Sequence, residues 1–573
     1  MRYYTKCNLM QLKIALFFLF LCFFSIVSAQ KTVVFDYGTL LMGDMEHKTF
    51  ADSIEISAFV DSKMEGFKKM GFEAVRLTQL ESNSDTLNYV FSPGQQYFFK
   101  VNNLIEQDSV VVLIPPKMYS ALFVDARYDD FSNAIESILK YLENKGFPFA
   151  SLTVDSLFFV QNLVLLNMTF DKGSQYHYDS IVVKGDVQIS DAFLRRFFNF
   201  KKRSLYSEKQ IKQSQKLSRQ LPFMTMNESP QVLFVEDKAY VFLFLKKRKN
   251  HSFDGIVGFV PPPDGQSGIQ LTGDIRLKLN NLFAQGELLN FDWRAYDVGS
   301  QDLNILLDYP FLFSTPFGTH LNFILNKKDS SFINTYYNIG INYYFSGFDY
   351  LKGFYESKVS NTYAGVEQSQ TAFRSSKVSS YGLEYSQNRL NDVILPTSGY
   401  LFKSSLAAGM LVRDKNPIFV TQQNEKVNQY VVQLNSPFYV PLYKRLIFHG
   451  GIRGVWMIAD GLYENEMLRF GGFNSLKGFD EDGISASTYF MATTELRYMI
   501  ESYSYFSVFW NGAFYEKKGM NSYVKDTPWG LGLGFSFNTP AGIFSINYAM
   551  GKQFNNPFDL KGAKVHFGIS GKF

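Results

Sequence analysis

Lys477 is the side chain in this sequence best placed for electrostatic work. It stands in GGFNSLKGF (471–479), inside a 26-residue connection, DGLYENEMLRFGGFNSLKGFDEDGIS (460–485), that separates two strongly alternating segments. Connections that long inside compact domains are usually functional. Gly471, Gly472 and Gly478 allow positive φ and close backbone approach, so the connection can fold back into an enclosed space instead of extending into solvent. Lys477 then lies between apolar Leu476 and the Gly478-Phe479 pair, and an enclosed cation needs an opposite charge or several acceptors. In ATTELRY (492–498), Leu496 and Tyr498 alternate with Glu495 and Arg497, which turns Glu495 inward; in VFWNGAF (508–514), Val508, Trp510 and Phe514 face outward and Asn511 inward. The spacing predicts that Lys477 pairs with Glu495 and hydrogen-bonds Asn511, pinning the connection to an inner wall. That is the chemistry of a latch and not of bond making.

The sequence contains no G-x-S-x-G elbow, no phosphate-binding glycine loop and no His/carboxylate cluster at metal spacing. No enzyme activity, metal or cofactor is therefore expected. GLGLGF (530–535) looks like a nucleotide loop but occupies an alternating strand with no helix after it, and reads as small residues facing inward. Asp480, Glu481 and Asp482 read as a solvated run with no role beyond local charge. Both cysteines, Cys7 and Cys22, fall where Arg2, Lys6 and Lys13 flank an apolar run over 14–27 that ends in Val27-Ser28-Ala29. That is the pattern of a secretory signal peptide over 1–29. The chain from Gln30 onward is then free of cysteine, with no disulfide or thiolate metal site. Removing three cations from a formal charge of +4 leaves it nearly neutral, which gives nucleic acid no footing.

The elements that must position the latch divide into two textures. Residues 30–249 mix short helical patterns with strands, as in small α+β units of roughly 75 residues, and three fit: 30–100, 101–177 and 178–249. The first carries Ile56, Phe59, Val60, Met64 and Phe67 on one helical face, the second Ile135, Ile138, Leu139 and Leu142. The third has the order β-α-α-β-β, and Lys246, Lys247, Arg248 and Lys249 at its end suit either anionic head groups or a plain soluble junction. Over 250–573 the periodicity becomes two. Tyr337, Ile339, Ile341, Tyr343 and Phe345 alternate mainly with Asn338, Gly340 and Asn342, and the last segment sets Val565, Phe567, Ile569 and Phe573 against His566, Ser570 and Lys572. Sixteen such segments occur, an even number that lets a sheet close. Aromatics make up 17% of the chain while mean hydropathy is only −0.11. That combination fits a transmembrane barrel, whose hydrophobicity is confined to every second residue; a soluble β-sandwich would carry more charge on its polar face. The expected fold is thus α+β periplasmic units followed by an all-β, 16-stranded antiparallel barrel.

The 471–479 stretch resembles the V/I-R-G-F/Y loop of the BamA/TamA-type outer-membrane assembly family. The resemblance extends over the leader, three units similar to POTRA domains, the strand count, the inward loop, the FWNGA strand in the place of the family's F-x-D-x-G segment, and a terminal Phe573. Three arm units look most like TamA. The family's key ion pair is changed on both sides, because Lys477 replaces its arginine and Asn511 its aspartate. Lysine cannot make arginine's two-toothed contact, so the loop should be held less firmly, with Glu495 as the remaining charge partner. The resemblance implies a seam of Ser252–Val260 against 563–573 that can part, and sheet edges in the arm that receive incoming chains by strand addition. It implies insertion of unfolded outer-membrane or surface proteins, with outer-membrane lipid and periplasmic or inner-membrane assembly subunits as partners. The alternative is a two-partner-secretion-type transporter for one dedicated polypeptide, which usually has a plug helix and two arm units. A plain porin would need no arm of this length.

Overall fold

The computed structural model describes residues 31–571 apart from 37–44, 51, 71, 73–74, 84–85, 93–94, 107–112, 250, 261–269, 298–299, 329–331, 364–373, 415–424, 521, 540–541, 555 and 557–561. The signal-peptide segment and Phe573 lie outside the described residues. The described residues divide into two compact units, one within 31–176 together with 205–208 and one of the remainder.

The first unit holds two small sheets. In one, helix Ser53–Lys69 starts at Asp52, whose carboxylate accepts from the Ile54 and Glu55 amides, and buries Ile56, Val60 and Phe67 against Val33, Phe35 and Phe91. The capping carboxylate satisfies two of the amides that a helix start leaves free. In the other, helix Tyr128–Glu143 buries Phe131, Ile138 and Leu142 over a sheet in which Phe98–Glu106 runs parallel to Leu163–Asp171 and Ser151–Val160 pairs antiparallel beside it.

The second unit begins with the same arrangement. His177–Gly185 runs parallel to Lys238–Lys247, Gln231–Val235 closes a hairpin, and helices Asp191–Phe197 and Glu208–Ser218 cover the sheet. The antiparallel barrel sheet follows. Among the described residues it has seventeen ladder segments, but Tyr523–Asp526 and Trp529–Thr539 both pair with Ser504–Lys518, one beyond the other, which makes sixteen strand positions. Alternation explains the wall. In Phe332–Ser346 the outward Ile339 and Ile341 are exposed while Asn338 and Asn342 are buried, because successive side chains point to opposite faces and only the outer one meets lipid. Among the described residues no helix is long and apolar enough to cross a membrane; the crossing elements are strands.

Candidate functional site

The 460–485 connection lies between strands Leu446–Ile458 and Thr488–Glu501 and turns into the barrel. Within it Leu468–Phe470 pairs antiparallel with Ile484–Ala486. Leu462, Met467, Phe470, Leu476 and Ile484 are buried with wall residues Val455, Met457, Tyr489 and Tyr515, which gives the lumen a small apolar core. Gly471, Gly472 and Gly478 all have positive φ. Gly478 lies against the backbone of Met550 and Gly551, where an added Cβ would sit 2.8 Å from Gly551 N, and a Cβ on Gly530 would meet the Lys477 carbonyl at 2.1 Å. The GLGLGF glycines at 530, 532 and 534 do face inward, and Gly530 does so because the loop backbone occupies the space a side chain would need.

The expected latch at the tip is not what forms. Glu495 and Asn511 are buried on the inner wall as their alternation required, yet no ion pair or hydrogen bond joins either to Lys477 among the described residues. Arg497, two residues along the same strand, takes the Glu495 carboxylate at 2.8 Å, and His449 Nδ1 shares it at 2.9 Å. Arg497 in turn stacks between Tyr439 and Tyr505. Asn511 donates to Thr493 Oγ1 at 2.8 Å. The Lys477 ammonium rests over the Phe509 ring, 4.3 Å from its centre, and shares a cavity of about 150 Å³ with His449 and Asn511. A neighbour already on the wall outcompetes a flexible lysine because its reach is fixed by the strand, while an ammonium has the aromatic face as a second option.

The firm hold is at the loop's base. Arg413 is fully buried; its Nε and Nη2 donate to the Glu466 carboxylate at 3.0 and 2.9 Å, its Nη1 to Glu425, and Nη2 also to the Asp460 and Gly461 carbonyls. Glu466, itself 2% exposed, further accepts from the Tyr463 amide. Asn465 reads the backbone of Arg374 with both ends of its amide and donates to Ser360 Oγ. Lys358 donates to the Asn465 carbonyl at 3.1 Å. Fifty-three positions separate Arg413 from Glu466, so no spacing rule could pair them. The available signal was only that Arg413 shares the inward face with Leu411.

The tip also touches the last strand. The Gly478 amide donates to His566 Nε2 at 3.2 Å, Asp480 pairs with Lys564 at 2.8 Å, and Phe473 lies over Gly568. Glu481 accepts from the Phe473 amide at 2.7 Å. Asp480, Glu481 and Asp482 are all exposed, in line with a solvated run, but Asp480 and Glu481 also brace the loop, which corrects the expectation that the run has no role beyond local charge. Phe567 is exposed on the outer face; the side chain of Ile569 lies outside the described residues. First and last strands, Ser252–Val260 and Lys564–Gly571, lie beside one another, and among the described residues no hydrogen-bonded ladder joins them.

An Omp85 superfamily domain matches residues 247–573, more than half of the chain. The chain belongs to the Omp85 superfamily. Omp85 barrels are outer-membrane proteins, and membership carries outer-membrane protein insertion or transport as the common activity. No curated protein matches this chain. Among solved structures it is similar to CdiB from Escherichia coli, at 13% identity and a TM-score of 0.51 over 90% of this chain and 98% of that one. It is similar to CdiB from Acinetobacter baumannii at 13% identity and a TM-score of 0.50, covering 91% and 99%. BamA from Haemophilus ducreyi lacking POTRA domains 1–3 matches at 16% identity and a TM-score of 0.43, covering 83% and 100%. The two CdiB likenesses show the fold, and nothing in the comparisons singles out a TamA-like member of the Omp85 superfamily.

Proposed function

We propose that this Omp85 protein is an insertion factor that brings unfolded outer-membrane or surface proteins into the membrane through its barrel seam, with the arm in the periplasm receiving them. The observation that carries the reading is the unladdered seam. Among the described residues the first and last strands lie side by side with no hydrogen-bonded ladder between them, and unpaired strand edges are templates for another chain. The loop and its small apolar core occupy part of the lumen beside a cavity of about 540 Å³, and this narrowing of the path through the barrel favours lateral release. No catalytic residue, metal or cofactor enters this mechanism; the chain's own work is to hold one edge of a sheet open beside lipid.

The test is reconstitution of the full-length protein into liposomes with an unfolded model barrel. Faster folding of the client than in empty liposomes is expected, together with broad losses from the outer-membrane proteome on gene deletion. Loss of a single surface polypeptide with no acceleration of any client would favour a dedicated two-partner-secretion-type transporter instead.

A further inference from the structure

Helix Asp191–Phe197 of the third arm sheet lies across two barrel turns. The Ser190 amide donates to the Ala284 carbonyl at 2.8 Å, Phe193 packs on Phe311 with ring centres 5.5 Å apart, and Arg196 Nε donates to the Ser314 carbonyl at 2.5 Å. The outer side of this joint is unusual in two ways. Phe311, Phe313 and Ser314 all have positive φ, a conformation that L side chains rarely adopt, and the turn thereby presents Phe313 with 93% of its surface exposed. Phe283, on the neighbouring turn, is 70% exposed. Beside Ser314, Arg196, Lys201 and Lys202 line a groove of about 410 Å³. All three are exposed, and no carboxylate pairs with any of them among the described residues.

Depth decides what this edge meets. Phe317 and Tyr343 face each other in register on the outer wall, 5.4 Å between ring centres, and Phe345 stacks on Tyr385 beside them. Such aromatic girdles sit at headgroup level. Phe313 is four residues from Phe317, within ~14 Å even fully extended. Exposed aromatic tips and unpaired cations therefore fall together at the phosphate layer. We propose that this edge is a docking surface for anionic phospholipid headgroups of the leaflet on the arm side: Phe313 and Phe283 enter the acyl boundary and Arg196, Lys201 and Lys202 receive the phosphates. In the basic run 246–249, by contrast, Arg248 is paired with Asp392 at 3.0 Å. The inference rests on the barrel lying in a membrane and is independent of the insertion reading.

The experiment uses full-length protein from mixed phosphatidylglycerol and phosphatidylcholine nanodiscs, with retained lipids counted by native mass spectrometry. Wild type is expected to keep phosphatidylglycerol over phosphatidylcholine. R196Q/K201Q/K202Q is expected to lose most of that preference, since each cation near an anionic surface contributes roughly fivefold; K68Q/K69Q, at the end of helix Ser53–Lys69 in the first compact unit, should keep it. K201Q/K202Q, which leaves the Arg196–Ser314 bond intact, serves if the triple variant loses its heat-dependent gel shift. A fluorophore on F313C should be quenched by headgroup-proximal spin-labelled lipid. Equal retention of the two lipids by wild type, an unchanged preference in the cation variants, or a fluorophore quenched only from water would overturn the proposal.

Discussion

Arg413 and Lys477 are both cations carried into the barrel lumen, yet only Arg413 meets a carboxylate. Removing one partner of a buried pair leaves the other charge without compensation, at a cost of ~3–5 kcal/mol. Arg413→Ala or Glu466→Ala should therefore free the 460–485 loop, read as faster amide exchange across it and a lowered temperature for the gel shift. Lys477→Ala removes a contact with the Phe509 ring worth on the order of 1–2 kcal/mol and should leave the loop in place. A double-mutant cycle separates the two sites. Arg413 and Glu466 should couple strongly, whereas Lys477 and Glu495 should be nearly additive; strong coupling in the second cycle would restore the tip latch.

At the scale of elements, the loop is seated by backbone meeting backbone. Gly478 and Gly530 matter because a side chain at either would occupy the space of a peptide group on the other element. Gly530→Val should expel the tip while the strand itself, with Leu531 and Leu533 still facing outward, stays in the sheet. The expected result is a barrel that keeps its heat shift but whose loop is cut by external protease, with Gly562→Ala, where no atom lies within 4 Å of the new Cβ, as the silent control. A protected loop in Gly530→Val would show that backbone approach is not what seats it.

At the scale of the molecule, the third arm sheet and the barrel belong to one compact unit and should move as one body. Phe193 and Phe197 pack on Phe348, Gln220 holds the Phe348 amide and the Asn388 carbonyl, and Arg248 reaches Asp392. Truncating a buried phenylalanine costs ~3–5 kcal/mol, so Phe193→Ala should loosen this joint. Paired spin labels on the Gln231–Val235 strand and the barrel rim should give a narrow distance distribution in wild type and a broad one in the variant. If insertion depends on a fixed approach of client to seam, the same change should slow client folding without reducing the amount of folded barrel; unchanged distances would sink the single-body view.

The sequence by itself determined the two textures, the sixteen strand positions, the inward course of the 460–485 loop and the faces of Glu495 and Asn511. These follow from period-two alternation and from glycine spacing, which are local properties. Only the tertiary structure decided the partners. Glu495 went to Arg497 and His449 because they are fixed on the same wall, and Glu466 found Arg413 across 53 positions because the loop folded back to it. Alternation assigns a side chain to a face, but which charge on that face it meets depends on strand register and loop path, and those are set by long-range packing that no local pattern encodes.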